Sequence, residues 1–214
     1  MAAVWGATGL GHGALTGWEI QSVTVSEDNK RGTAPDKIGN EAASKLYDDT
    51  QQVTTTYKAT VKTAPSIPAN IGADINGITT TQISVSTDSE DFATMTLTGH
   101  VHIDGTHGPG ACKSVAHGMK LDRGFGASDF GVIGGESVRS SELTITCEHA
   151  EVPNAEGNNA AGENYNPRIE ISVRVLGSSP NLPGGFYRMT DALEGASEDF
   201  QYTTISGVKP LAFT

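Results

Sequence analysis

Two segments of the chain alternate apolar and polar residues over a length that is unusual for a single strand. The first runs from Gln51 to Lys62, and the second runs from Thr94 to Ile103. Successive side chains of a strand point to opposite faces of a sheet, so this alternation predicts strands with one buried and one solvated face. The residues predicted to face inward are Val53, Thr55, Tyr57, Ala59 and Val61 in the first segment and Met95, Leu97, Val101 and Ile103 in the second.

Shorter patterns predict the remaining elements. Further strands are expected at Trp18–Ser26, around Ile83 and Val85, at Glu142–Glu148, at Arg168–Leu176 and at Phe200–Ile205. In the first of these the apolar phase shifts between Ile20 and Val23, which indicates a bulge or burial on both faces. Glu41–Tyr47 could be a strand or a short helix, and a strand is preferred because Asp48–Thr50 then makes a turn. Thr190 or Asp191 could cap one short helix, Ala192–Ala196. About seven or eight strands with one short helix predict an all-β fold, a β-sandwich or barrel-like sandwich.

The connecting segments suggest one domain with two appendages. Residues 1–17 are interrupted by Gly6, Gly9, Gly11 and Gly13 and are expected to form a flexible N-terminal arm, followed by a single domain at 18–214. Residues 104–136 form a glycine-rich stretch with little periodicity, and a loop of this length usually contacts a partner or performs a function. Hairpin-like and polar loops are expected at Asn29–Gly39 and Asn154–Asn166, and a turn at Asp48–Thr50.

The charge of the chain limits its partners. The 214 residues contain 14 Lys and Arg against 25 Asp and Glu, a formal net charge of -11. Binding to nucleic acid through phosphates needs clustered basic residues, so the composition disfavours it. An acidic wall can instead let DNA pass without holding it. No segment approaches the roughly 20 apolar residues of a membrane-spanning helix, so no membrane partner is expected.

The histidines of the second long strand are the candidate metal ligands. His100 and His102 share one face at i and i+2, and His107, Cys112 and His117 follow them. Imidazole and thiol groups at such spacing could bind zinc or iron. The stronger interpretation is a solvated polar face, because Thr94, Thr96 and Thr98 lie on the same side of the strand. The acidic group Asp88, Glu90 and Asp91 does not match a calcium-binding loop.

The sequence contains no recognisable catalytic arrangement. A Gly-x-Ser-x-Gly turn is absent, and the glycine-rich segments 124–126 and 131–135 lack the Lys and Ser/Thr of a phosphate loop. The chain is therefore expected to be no enzyme, with no catalytic residues and no cofactor. Whether the two cysteines, Cys112 and Cys147, form a disulfide is left open.

Two stretches resemble a known family. Ser26–Asp28, then Tyr47–Thr50 leading into the first long strand, and Glu90–His102 in the second unit are similar to tail tube proteins of long-tailed bacteriophages. The resemblance implies a β-sandwich whose sheets line a ring, with a helix and long loops that contact neighbouring subunits. It also implies hexameric rings that stack into a conduit for the genome.

The expected function is accordingly that of a virion structural protein, a tail tube subunit that self-assembles in the host cytoplasm and resides in the phage tail. Its partners would be further copies of itself and other tail proteins, while DNA passes through without specific binding. A channel face that is acidic or neutral is expected, with acidic residues offsetting Lys58 and Lys62. The alternatives are a neck, tail-terminator or capsid decoration protein, a surface adhesin or glycan-binding module and, behind these, a metal-dependent enzyme.

Overall fold

The computed structural model describes residues 11–60, 67, 71–72, 74–88, 91–102, 138–153, 159–177, 182, 185–195 and 200–211. These residues form strands and turns and contain no helix. The strands are β1 (Trp18–Pro35), β2 (Glu41–Ala59), β3 (Asp74–Ile75), β4 (Ile78–Asp88), β5 (Thr94–His102), β6 (Val138–Pro153), β7 (Asn159–Leu176), β8 (Tyr187–Glu194) and β9 (Tyr202–Pro210).

The strands pair in the order β1-β2-β5-β4-β6-β7-β9-β8, with β3 paired to β4 outside this path. Every pairing is antiparallel. A larger part of the antiparallel sheet packs with a smaller one, so the predicted all-β, sandwich-like fold class is confirmed. Antiparallel sheets can bury one face and solvate the other, which is the arrangement that the alternating sequence predicted.

The core lies on one face of this sheet, called here the inner face. Two neighbouring rows of buried side chains cross β2, β5, β4, β6 and β7 in register: Tyr57, Met95, Val85, Leu143 and Ile171, then Thr55, Leu97, Ile83, Ile145 and Ile169. Each large apolar side chain buried in this way stabilises the fold by roughly 1.5–3 kcal/mol. The inward positions predicted for the long strands are confirmed where they fall within these rows.

The opposite face of β1, β2, β5, β4 and β6 carries mainly short, uncharged polar side chains. We call it the hydroxyl face, and it consists of Ser22, Thr24, Ser26, Gln52, Thr54, Thr56, Thr94, Thr96, Thr98, Gln82, Ser84, Ser86, Thr144 and Thr146. Charged residues border it, and one of them, Lys58, forms an ion pair of 3.0 Å with Asp91. That pair meets the expectation that an acidic residue offsets Lys58, whereas Lys62 lies outside the described residues.

Part of the predicted N-terminal arm lies on the inner face. The His12 backbone N–H and its ring Nδ1 lie 3.2 and 2.9 Å from the hydroxyl of Thr55. Tyr57 Oη donates to the carbonyl of Gly13 at 2.8 Å, and Asn76 Nδ2 donates to the carbonyl of Gly11 at 2.9 Å. Residues 11–17 therefore cover one end of the core, while residues 1–10 lie outside the described residues.

Several predicted details were wrong. The described residues alone form nine strands, more than the seven or eight expected. The segment predicted as a helix begins within β8, which pairs with β9 from Tyr187 to Glu194, because the strand ladder satisfies its backbone groups. The loop expected at Asn29–Gly39 shrinks to residues 36–40, and residues 159–166 of the expected polar loop belong to β7. The predicted turn at Asp48–Thr50 is instead a bulge within β2.

Other expectations have mixed outcomes. The bulge expected near Ile20 occurs between Ile20 and Ser22, and the strand expected at Glu41–Tyr47 is confirmed as part of β2. The long loop at 104–136 lies outside the described residues. The β3–β4 hairpin was missed, although Asn76-Gly77 between Ile75 and Ile78 signals one. Both turn residues have positive φ, 56° and 79°, as a type I′ turn requires.

Candidate functional site: two hairpin arms and two sheet edges

Two β-ribbons continue past the ends of their other strand partners. The β2–β5 pairing ends at Thr50↔His102, and the β4–β6 pairing ends at Gln82↔Thr146. We call residues 30–47 arm 1 and residues 148–165 arm 2, of which 148–153 and 159–165 are described. Six residues of β1 in arm 1 extend about 20 Å at 3.3 Å per residue. Within the described residues each arm is a two-stranded ribbon.

Both arms leave the sheet from the same end. The β2–β5 ladder begins at Thr50↔His102, at the C-terminal end of β5. That end of β5 lies beside the N-terminal end of β4. β6 passes its last β4 partner, Gln82, at the same end of the sheet. Arm 1 and arm 2 therefore project in the same general direction, with β5 and β4 between their parent strands.

A bulge marks the root of each arm. The β1–β2 register shifts between Asp28 and Lys30, and the β6–β7 register shifts between Thr146 and Glu148. A bulge adds an unpaired residue to one strand, bends it and increases its twist. Each ribbon can therefore leave the plane of the sheet at its root.

The tip of arm 1 is organised by one carboxylate. Asp36 Oδ1 accepts from the backbone N–H groups of Ile38 and Asn40 at 2.8 and 2.9 Å, and Gly39 adopts a φ of 90°. These backbone hydrogen bonds to the ionised form lower the pKa of Asp36. An exposed ion pair between Arg31 and Glu41 joins the two strands behind the turn.

The root of arm 2 is held by a cluster around Glu148. Asn166, which has a φ of 51°, donates through Nδ2 to Glu148 Oε1 at 2.8 Å, and Arg168 Nη1 lies 3.6 Å from the same oxygen. The hydrogen bonds from Asn166 and Tyr165, together with the Arg168 charge, lower the pKa of Glu148. The hydrogen bond with Glu148, and the negative charge of that carboxylate, raise the pKa of Tyr165.

Both arms and both ends of the strand path expose apolar side chains. On the arms these are Ile38, 76% exposed, Val152, 61%, and Tyr165, 46%. The two terminal strands, β1 and β8, expose Val25, 54%, Tyr187, 67%, Met189, 65%, and Leu193, 63%. Edge strands with apolar side chains are templates for pairing with another chain. These surfaces are the candidate functional site.

Two shallow grooves of about 460 and 450 Å³ lie beside the hydroxyl face. The first is lined mainly by Ser, Thr and charged side chains, Arg174 among them. The second is lined by Arg168 and Glu170 and also by the apolar side chains of Ile171, Met189 and Val208. Arg174 pairs with Glu194 at 3.3 Å and stacks over Tyr202, while Arg168 pairs with Glu170 at 2.7 Å. Each arginine is already engaged by a carboxylate, so neither groove presents a concentrated positive charge.

Of the predicted metal ligands, His100 has a described side chain and the others do not. His100 is half-buried on the outer side of β5, and His102 pairs through its backbone with Thr50. His107, Cys112 and His117 lie outside the described residues, as does Glu90. In the part of the chain that is described, no group of three His, Cys, Asp or Glu residues could hold a metal ion. The Cys147 thiol lies 3.7 Å from the carbonyl of Thr81.

No protein-family model matches the chain, and no curated protein sequence matches it. Among the described residues there is no helix long and apolar enough to cross a membrane.

The arms themselves were missed by sequence reasoning, which treated residues 29–39 and 154–166 as loops. A signal for the first was present, because Asp36 and Gly39 fit a tight turn between two runs that can both extend as strands. The second lacked periodic apolar residues, and its pairing depends on β6 and β7 being held in register from the core outward.

Proposed function

We propose that this protein is a structural subunit that acts by self-assembly, in the specific form of a bacteriophage tail tube subunit. One observation carries the proposal: a one-sided antiparallel sheet ends in two exposed edge strands and extends two ribbons from the same end. Contacts between different surfaces of identical copies generate rings when the rotation closes, and stacked rings form a tube. Closure would also cover the edge strands.

The hydroxyl face supports the same proposal. Ser and Thr predominate on it over five strands, and the charged residues in register with it, Lys58 beside Thr94 and Glu142 beside Ser86, have opposite signs. A channel wall with clustered Lys and Arg would hold DNA through counterion release, whereas short hydroxyl side chains do not. A tube whose wall is this face would give DNA a neutral surface to pass. The resemblance of the two long strand segments to tail tube proteins points in the same direction.

The first test is whether the purified protein forms rings or tubes. Light scattering over a wide concentration range is expected to show oligomers, and electron microscopy is expected to show rings or stacked rings. A strictly monomeric protein would contradict the proposal. Closed single rings without stacking would favour a neck or terminator protein over a tube subunit.

A second test addresses the edge strand. Leu193→Lys places a charge on β8 and is expected to weaken self-association, because charged residues on edge strands oppose pairing. Phe200→Lys is the matched control, since Phe200 is 67% exposed and lies outside β8. If both substitutions weaken self-association equally, β8 is not part of the interface.

The proposed channel face is tested by DNA binding. The assembled protein is expected to bind duplex DNA weakly at physiological ionic strength. Tight binding that falls steeply with added salt would exclude a passive conduit and indicate a DNA-packaging role.

A further inference from the structure

The turn between β3 and β4 contains an Asn-Gly pair, Asn76-Gly77, and the sequence has no other such pair. Asparagine followed by glycine loses its side-chain amide more readily than asparagine before other residues, because glycine has no Cβ to hinder attack by its own nitrogen. Both residues are exposed, and a Cβ added to Gly77 would meet no atom within 4 Å. The pair is therefore accessible to water and sterically open.

Hydrogen bonds hold both of the groups that would react. The backbone N–H of Gly77 donates to Asp74 Oδ1 at 2.8 Å, and Asn76 Nδ2 donates to the carbonyl of Gly11 at 2.9 Å. The Gly77 nitrogen must lose its proton before it can attack, and the Asp74 carboxylate opposes that loss because it stabilises the protonated form. The bond to Gly11 keeps the Asn76 amide from turning toward the Gly77 nitrogen. The folded structure therefore protects the pair.

The acceptor of the Asn76 amide belongs to residues 11–17, which we call the strap. Gly11 lies tightly against the sheet, since a Cβ added to it would lie 2.3 Å from Thr55 Oγ1. The next strap residue, His12, is also held by Thr55, through its backbone N–H and its ring Nδ1. Displacement of the strap from the sheet would therefore withdraw the Gly11 carbonyl and free the amide of the turn to react.

We propose that Asn76-Gly77 is a latent deamidation site, protected while the strap is docked and reactive once the strap leaves the sheet. The Gly77 nitrogen gives up its proton to solvent and attacks Cγ of Asn76. The Cγ–Nδ2 bond breaks, and Nδ2 takes up a proton from water and leaves as ammonia. Water then opens the succinimide ring at either carbonyl, which leaves aspartate or isoaspartate at position 76. Water is the co-reactant, and the inference does not depend on self-assembly.

Deamidation would make release of the strap irreversible. A carboxylate at position 76 has no hydrogen to donate, so a negatively charged acceptor would face the carbonyl of Gly11, which is also an acceptor. Isoaspartate would in addition lengthen the backbone of a tight two-residue turn by one methylene group. The strap would then lose its contact with the β3–β4 turn, and the remaining hydrogen bonds to Thr55 and Tyr57 would have to hold it.

The rate of deamidation at position 76 tests the protection. Wild-type protein, a synthetic peptide with the sequence of residues 74–79 and two variants are incubated in mildly alkaline buffer, and peptide mapping by mass spectrometry follows the conversion. Gly11→Ala pushes the strap off Thr55, and Asp74→Ala removes the acceptor of the Gly77 N–H. Each variant is expected to react about fivefold faster than the wild type, since each loses a hydrogen bond that protects the pair. The peptide is expected to react faster still, because it has neither the strap nor the folded turn.

A matched control and a second readout complete the test. Gly39→Ala places alanine at another glycine of positive φ, outside the strap and the β3–β4 turn, and is expected to react at the wild-type rate. Far-UV circular dichroism checks that each variant is folded. Asn76→Asp reproduces one product, and hydrogen exchange of the strap is expected to be faster in it than in the wild type.

Three results would overturn the proposal. If the folded wild type reacts as fast as the peptide and as Gly11→Ala, the strap does not protect the pair. If Gly39→Ala accelerates the reaction as much as Gly11→Ala, the effect is a general loosening of the fold. If hydrogen exchange of the strap is unchanged in Asn76→Asp, deamidation does not release it.

Discussion

The body of the sheet and its two arms are built from the same kind of strand but depend on different forces. In the body, Leu97, Leu143 and Ile171 lie in rows of buried side chains that cross five strands. On the arms, the apolar residues Ile38 and Val152 are 76% and 61% exposed. An isolated two-stranded ribbon is only marginally stable in water, so the arms depend on the body, on their turns and ion pairs, or on partners. The body accounts for folding, and the arms are available for assembly.

The largest expected difference between the two regions concerns a core leucine. Leu143→Ala is expected to lower the free energy of unfolding by about 2–5 kcal/mol, because it leaves a cavity in the middle of the sheet. Val152→Ala on arm 2 is expected to change it by less than about 0.5 kcal/mol. Urea unfolding of both variants measures the difference, and similar losses would show that the arm is part of the cooperative core.

The dependence of stability on pH is also expected to arise in the body of the sheet, at His12. Burial lowers the pKa of His12 from its ordinary value of 6.5 to about 4, because the inner face disfavours the charged ring. The unfolded chain then binds more protons than the folded one between these values, so stability falls as pH drops from 6.5 to 4. The loss attributable to His12 is expected to reach about 3 kcal/mol.

Unfolding of the wild type and of His12→Gln at pH 7 and pH 4 isolates this contribution. The pKa values of Asp36 and Glu148 are also lowered, so protonation of these carboxylates in acid also destabilises the fold. That contribution is the same in the wild type and in His12→Gln. An identical loss in the two proteins would mean that His12 is accessible to protons in the folded state.

A glycine in the body should tolerate substitution less well than one outside it. A Cβ at Gly99 would lie 2.6 Å from Ile78 Cγ2 and from the Thr79 carbonyl oxygen, and 3.0 Å from His12 Nε2. Gly99→Ala is therefore expected to cost about 1–3 kcal/mol in overpacking. Gly195→Ala is the control, because its nearest neighbour would lie 3.8 Å away. Thermal unfolding compares the two variants. If Gly99→Ala does not lower the Tm, Ile78, Thr79 and His12 can shift to make room for the added Cβ.

The smallest effect is expected on arm 1. Arg31→Ala removes an ion pair with Glu41 in which both side chains are substantially exposed, 56% and 41%. Exposed pairs of this kind contribute about 0.2–1 kcal/mol, so the change in unfolding free energy should stay below about 1 kcal/mol. Adding salt should reduce it further. A loss of several kcal/mol in urea unfolding would show that the arm folds cooperatively with the body.

Local patterns of apolar and polar residues specify the strands that enclose the core. Alternation at Val53–Ala59, Met95–Leu97, Leu143–Ile145 and Ile169–Val175 predicted which side chains are buried, because a strand repeats every two residues. The change of apolar phase after Ile20 indicated a bulge or burial on both faces, and the structure has the bulge. These are local properties, and they can be read without knowing the partner strands.

Local patterns do not specify which strands are neighbours or where each ladder ends, because both depend on long-range packing. Residues 159–166 have no apolar period, and they extend as a strand because β6 and β7 are aligned by the core. Residues 187–194 form β8 rather than the start of a helix, because β9 supplies a ladder of hydrogen bonds that outweighs local propensity. The position of the two ribbons at the same end of the sheet depends on the order of the strands between them, which is a long-range property.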